Sequence, residues 1–207
     1  MNDSKLSELA RMIGDWPGLV AGPPGELVED SLVLLGHLED ARRLVDVGSG
    51  GGLPGLPLKL ARPDLSVTLV EADQAKAAFL VQACARLGLH DVEVLARRAE
   101  EVGRDPRYRE MFDVAVARAL APMPALVELC LPLVRVGGRL LAQKTENQDV
   151  SGAQHAIELM GGSLEEVAPA PSTARQSGTV VVVRKIAPTP AAYPRRAGVP
   201  VRRPLEK

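Results

Sequence analysis

Apolar, β-branched runs recur at Leu44 to Val47, Val67 to Val70, Val92 to Leu95, Val114 to Ala117, Leu140 to Ala142 and Thr179 to Val183. Each is short and little broken by polar residues, the pattern of strands buried on both faces. Between most of them the spacing turns helical. Pro54 to Arg62 carries prolines near its start, where a missing N–H costs little, and stops before Pro63. Gln74 to Leu87 sets Ala75, Ala78, Phe79, Val81, Gln82 and Cys84 at mixed helical spacing and ends at Gly88. Strands alternating with helices predict an α/β fold, a doubly wound and mostly parallel sheet whose ligands sit beyond the carboxyl ends of the strands. The last part departs from this repeat. Gly161-Gly162, the run Leu164 to Val167, a Pro/Ser/Thr/Gln loop and four consecutive valines from Val180 predict an antiparallel edge hairpin.

The first strand runs into a loop of glycines, LVDVGSGGGLPG over residues 44–55. Glycines directly after a strand let the backbone pass close under a nucleoside-bearing ligand, where a Cβ would collide. Gly48-x-Gly50 stands at the strand end. The shifted match Gly50-x-Gly52-x-x-Gly55 is a weaker dinucleotide fingerprint, because it starts three residues past Val47 and has Pro54 before its third glycine. Glu71 closes the second strand about 20 residues past the glycines, where a ribose diol needs an acceptor.

The third strand end reads LARRAEEV, and in a sheet of this order Ala99 and Glu100 lie beside the base; a helix N-terminal acid reads the same way. The fourth ends in VARAL, where enzymes methylating an exocyclic amine often carry Asn or Asp followed by Pro-Pro-aromatic. N6-adenine chemistry is therefore disfavoured. Cytosine C5 chemistry needs a thiolate near this strand end, and Cys84 and Cys130 are not placed for it. Arg118 stands there instead, a planar donor fork able to hold carboxylate, phosphate or a guanine edge.

Composition narrows the rest. A chain of 207 residues, 46% apolar and 25% charged, suits one domain, or one domain with an extension. No apolar run is long enough to span a bilayer and MNDSKLSELARM lacks a signal-peptide core, so a cytoplasmic protein with no membrane partner is expected. The two cysteines have no CxxC spacing, and His37, His90 and His155 are scattered. Neither a metal site nor a triad is expected. The net charge is −1, yet residues 184–207 hold Arg184, Lys185, Arg195, Arg196, Arg202, Arg203 and Lys207 against Glu206 alone, a local balance of +6. By composition alone such a terminus reads as solubilising and poorly ordered.

With these residues assembled, the chain resembles the RsmG family, also called GidB, bacterial methyltransferases of small-subunit rRNA. The resemblance covers about residues 43–207 and rests on DVGSGGGLPGLPLKLARP, EADQAKAAFL, RAEE before FDVAVARAL, and the tail RKIAPTPAAYPRRAGVPVRRPLEK. It implies a class I S-adenosylmethionine-dependent methyltransferase fold of Rossmann-like type, acting on N7 of a guanine in the 530 loop of 16S rRNA. Gly48, Leu53, Ala99, Glu100 and Arg118 match the family's cofactor contacts, with Gly50 in the same loop and Glu71 on the ribose. Arg195, Arg196, Arg202 and Arg203 become rRNA contacts. No catalytic base and no metal are implied. The partner is 16S rRNA or the small ribosomal subunit, met by a monomer.

The chain then divides into an N-terminal helical lead (1–42), a methyltransferase domain (43–187) and a basic C-terminal tail (188–207). In the lead, Asp30-Ser31 keeps the family's Asp-Ser pair, and Leu27 stands where the family usually has a histidine. Loss of residues 188–207 is expected to flatten the salt dependence of rRNA binding and leave cofactor affinity nearly unchanged. Two other classes share these features: a nicotinamide oxidoreductase on the same sheet, and an RNA-binding module without methyl transfer.

Overall fold

Two helices lead the chain, α1 (Asp3–Asp15) and α2 (Pro24–Ser31), followed by a 3-10 turn at Leu32–His37. Strands and helices then alternate: β1 (Arg43–Val47), α3 (Gly55–Ala61), β2 (Ser66–Val70), α4 (Gln74–Arg86), β3 (Val92–Leu95), α5 (Ala99–Arg104), β4 (Phe112–Arg118), α6 (Met123–Cys130) and β5 (Val134–Lys144). After α7 (Gln154–Leu159) come β6 (Gly162–Pro169), β7 (Thr179–Lys185) and the single turn α8 (Val199–Arg202). The structure, a computed structural model, describes residues 3–144 and 150–205. Glu206 and Lys207 of the basic tail lie outside the described residues.

The seven strands form one sheet in the order β3-β2-β1-β4-β5-β7-β6. Neighbours from β3 to β5 pair in parallel, and β7 pairs antiparallel with both β5 and β6. The chain leaves β1 toward β2 and β3, then returns to β4 on the other side of β1. That reversal opens a cleft above the carboxyl ends of β1 and β4, which places the site.

Alternate residues of the central strands face two cores. Leu44, Val67, Val114, Val116, Leu141 and Val182 pack with α1, α2, α3 and α4; Val45, Val47, Ala115, Ala117, Ala142 and Val183 pack with α5, α6 and α7. The lead belongs to the first core. Leu6, Leu9, Met12 and Ile13 form the buried stripe of α1, Trp16 meets Phe79 edge-on at 5.4 Å, and Lys5 donates to Leu87 O at 2.6 Å.

Several sequence expectations are corrected in detail. On α4 the buried positions are Ala77, Phe79, Leu80 and Ala83, while Val81 is 57% exposed. The mixed spacing hid this stripe because alanines line both sides of the helix. β5 begins six residues before Leu140, since it pairs with β4 across a bulge between Phe112 and Val114 and absorbs Gly137-Gly138, which break the apolar run. β6 is longer than Leu164 to Val167 because an edge strand needs apolar side chains on one face only. Cys130 is fully buried and Cys84 half-buried; burial pushes the Cys84 thiol up to about 11 and that of Cys130 still higher, so neither is a thiolate at neutral pH. Among the described residues no helix is long and apolar enough to cross a membrane, and no group of His, Cys, Asp and Glu is placed to hold a metal.

Candidate cofactor and acceptor site

A cavity of about 1300 Å³ opens over the carboxyl ends of the central strands. One half of it is made of backbone turns. Past Val47 the chain turns through Gly48 at φ +76°, and the Gly48 and Ser49 N–H groups donate to Val70 O at 2.8 and 3.1 Å, tying the loop to β2. A Cβ on Gly48 would stand 2.5 Å from Leu120 Cδ1 on the cavity wall. Gly55 opens α3 by donating to Asp46 Oδ2 at 2.9 Å, and a Cβ there would come within 2.7 Å of that oxygen. Asp46 is wholly buried beneath the loop, its Oδ1 without a hydrogen-bond partner among the described residues. Burial pushes its carboxyl up to about 7, against the Gly55 bond and the positive charge of Arg118.

The residues picked from the strand ends gather around this loop. Glu71 bridges loop and strand, accepting from Gly50 N at 2.8 Å through Oε2 and from Asp73 N at 2.8 Å through Oε1. Asp73 in turn caps α4, accepting from Ala75 N and Lys76 N at 2.9 and 3.0 Å. Leu53, Ala99 and Glu100 line the same cavity, the last two as the first residues of α5. Glu100 is 5% exposed, and its carboxylate accepts from Gly198 N at 2.6 Å.

Across the cavity the wall is cationic. Arg118 ends β4, donates to Leu27 O at 3.2 Å and lies 3.6 Å from Asp30. Burial lowers its pKa, opposed by Asp30 and Asp46. Asp30 is 1% exposed and serves several partners. It accepts from Arg175 Nε and Nη2 at 3.1 and 3.0 Å, from Gln143 Nε2 at 3.0 Å, and from Ser172 Oγ. Arg175 also donates to Lys144 O, and Lys144 Nζ donates to Ala121 O at 2.9 Å. Arg175, Lys144 and Gln143 went unnoticed in the sequence; only the Asp30-Ser31 pair of the resemblance pointed toward them.

The basic tail is docked against the domain. Arg109 donates to Thr189 O and Tyr193 O at 2.7 and 2.8 Å, and Arg104 to Pro194 O at 2.7 Å. Arg195 is set apart from the other three arginines of its cluster, turned inward to grip the fully buried Glu128 at 2.6–3.0 Å. Arg196, Arg202 and Arg203 are exposed, and Arg202 also reaches the cavity rim.

Strand order, glycine turn and strand-end acid define the Rossmann-like fold of the class I S-adenosylmethionine-dependent methyltransferases. The fold matches that of the O-methyltransferase TomG from Streptomyces achromogenes, solved in complex with SAM, with a TM-score of 0.62 at 22% identity over 90% of this chain and 92% of that one. The profile of the GidB family, described as rRNA small subunit methyltransferase G, matches residues 24–176. The ribosomal RNA small subunit methyltransferase G of Roseiflexus sp. (strain RS-1) is 52% identical over 164 residues, 78% of this chain and 70% of that one. Its counterpart in Moorella thermoacetica is 46% identical over 184 residues, 86% and 77%. The chain belongs to this family, the S-adenosylmethionine-dependent methyltransferases of small-subunit rRNA.

Proposed function

We propose that the chain methylates N7 of one guanine in the 530 loop of 16S rRNA. The observation that carries this reading is the pairing, in one cavity, of a glycine turn and Glu71 with a facing wall of Arg118, Lys144 and Arg175. The residues fit a nucleoside cofactor: the turn at Gly48 takes a left-handed φ of +76° that brings the backbone to the cavity wall, and Glu71 offers a carboxylate at the rim. S-adenosylmethionine supplies an electrophilic sulfonium methyl. Gly48, Gly50, Leu53, Glu71, Ala99, Glu100 and Arg118 would hold it, Glu71 releasing the Gly50 N–H to take hydroxyls.

Guanine N7 carries an in-plane lone pair and no proton, so its methylation calls for no general base. Asp46 fits this, since it lies wholly buried under the loop and is tied to the Gly55 N–H. What the chain must supply is alignment, which contributes up to roughly 7–11 kcal/mol in well-oriented systems. Arg118 and Arg175, held rigid by Asp30, would take the guanine oxygen edge or a neighbouring phosphate. Arg196, Arg202 and Arg203 would neutralise phosphates outside the cavity, with Arg195 securing the segment that carries them.

In this reading residues 1–42 serve as a helical lead, 43–187 as the methyltransferase domain and 188–207 as an rRNA-facing segment. The protein works in the cytoplasm as a monomer on 16S rRNA or the small subunit. Thermal shift with S-adenosylmethionine and with NADH, followed by labelled methyl transfer to small subunits, tests it. Stabilisation by S-adenosylmethionine alone, with incorporation, is expected; stabilisation by NADH instead overturns it.

A further inference from the structure

The C-terminal segment and helix α5 hold each other at three points. The Gly198 N–H donates to Glu100 Oε1 at 2.6 Å, and Arg104 at the far end of α5 donates to Pro194 O at 2.7 Å and Ala192 O at 3.2 Å. Between them Gly103 leaves room for Pro194, whose Cγ would lie 3.1 Å from a Cβ built there. Six residues of helix, under two turns, do not hold an orientation by themselves. Where Ala99 and Glu100 stand therefore depends on the segment docked along them. The segment is itself anchored by Arg195 on the buried Glu128 and by Thr189 N on Glu110 Oε1 at 2.7 Å. Gly198, Val201 and Arg202 line the cavity alongside Gly48, Glu71 and Glu100.

We propose that Gly198 is a positioning residue for the cofactor site: its N–H fixes the Glu100 carboxylate, and the segment 188–205 forms the wall that holds Ala99 and Glu100 in place. This rests on the cofactor reading above and reverses the expectation that the tail and the cofactor site are independent. Because the same segment bears Arg196, Arg202 and Arg203, phosphate contact and cofactor retention become linked, and by reciprocity each strengthens the other.

The test is calorimetric titration of S-adenosylmethionine into the full chain, into a variant ending at residue 197, and into Gly103→Ala. The deletion keeps Arg104 on Pro194 O and Arg195 on Glu128, and removes the Gly198 donor with the residues beyond it, among them the Arg203 carbonyl that Arg195 also holds. Gly103→Ala keeps every residue of the segment and improves helix propensity, so a loss there cannot come from a weaker α5. The deletion is expected to raise Kd about tenfold, the scale on which orienting partners act. Gly103→Ala should give a smaller rise, seen in KM for S-adenosylmethionine with kcat held. Should the deletion variant fail to fold, Gly103→Ala decides alone. Kd within twofold of the full chain in both variants overturns the inference and leaves the function standing. A full chain that does not bind S-adenosylmethionine sinks the functional reading, and this inference with it.

Discussion

The two halves of the cavity are built on opposite plans. On the glycine-loop side, main-chain N–H groups of Gly48, Ser49, Gly50 and Gly55 are fixed by a strand carbonyl and two carboxylates, with no cation among their partners. On the facing side, Arg118, Arg175 and Gln143 converge on one buried carboxylate, Asp30, which is outnumbered by the cations it organises. The difference teaches what each half can tolerate. Backbone cradles are set by local turns and survive the loss of a side chain, whereas the charge cluster shares a single counter-ion and fails as a unit.

The largest effect should come from removing that counter-ion. Asp30→Ala leaves two nearly buried guanidinium groups short of a partner, at a cost of about 3 kcal/mol, or ~6–12 °C in Tm for a chain of this length. Differential scanning calorimetry reads it directly, and an unchanged Tm would dissolve the contrast between the halves. Next is Arg118→Ala, expected to lower kcat/KM for methyl transfer by about 100-fold, the scale of losing one oriented donor. A value within twofold of the wild type would remove Arg118 from the reacting site.

The four tail arginines sharpen the comparison within one segment. Arg195→Ala should lower Tm by stranding Glu128, while Arg202→Ala with Arg203→Ala should leave Tm unchanged and reduce the salt slope of rRNA binding by about 2, one per lost phosphate contact. Equal Tm losses for both variants would contradict the inward placement of Arg195.

A pH-dependent effect, read as a slope rather than a single loss, concerns Asp46. Its folded-state pKa of about 7 lies above the unfolded carboxylate value, so the native chain holds the proton more tightly and stability falls as pH rises from about 4 toward 7. Asp46→Asn keeps an acceptor for Gly55 and should flatten this part of the Tm profile. A profile of unchanged slope would locate the titration elsewhere.

The same contrast explains what could be seen in the sequence. Gly48 and Glu71 follow a strand end directly, Arg118 ends β4 and Ala99 stands four residues past Leu95, so finding the apolar runs also located them. The wall facing them is only partly in phase: Gln143 and Lys144 end β5 as Arg118 ends β4, but Asp30 comes from α2 and Arg175 stands 145 residues on, in a loop with no period of its own. The tail's charge was visible in its arginines. Its docking was not, because Arg104 and Arg109 donate to main-chain carbonyls, which leave no pattern of residue types.

The proposed function requires one cavity to join a cofactor half to an acceptor half for a guanine needing no base. Transfer of labelled methyl to small ribosomal subunits and to stripped 16S rRNA from a strain lacking this protein, with N7-methylguanine mapped by chain cleavage, tests it most directly. The account predicts a single modified guanine in the 530 loop. Incorporation at another atom, or none while S-adenosylmethionine still binds, would contradict it.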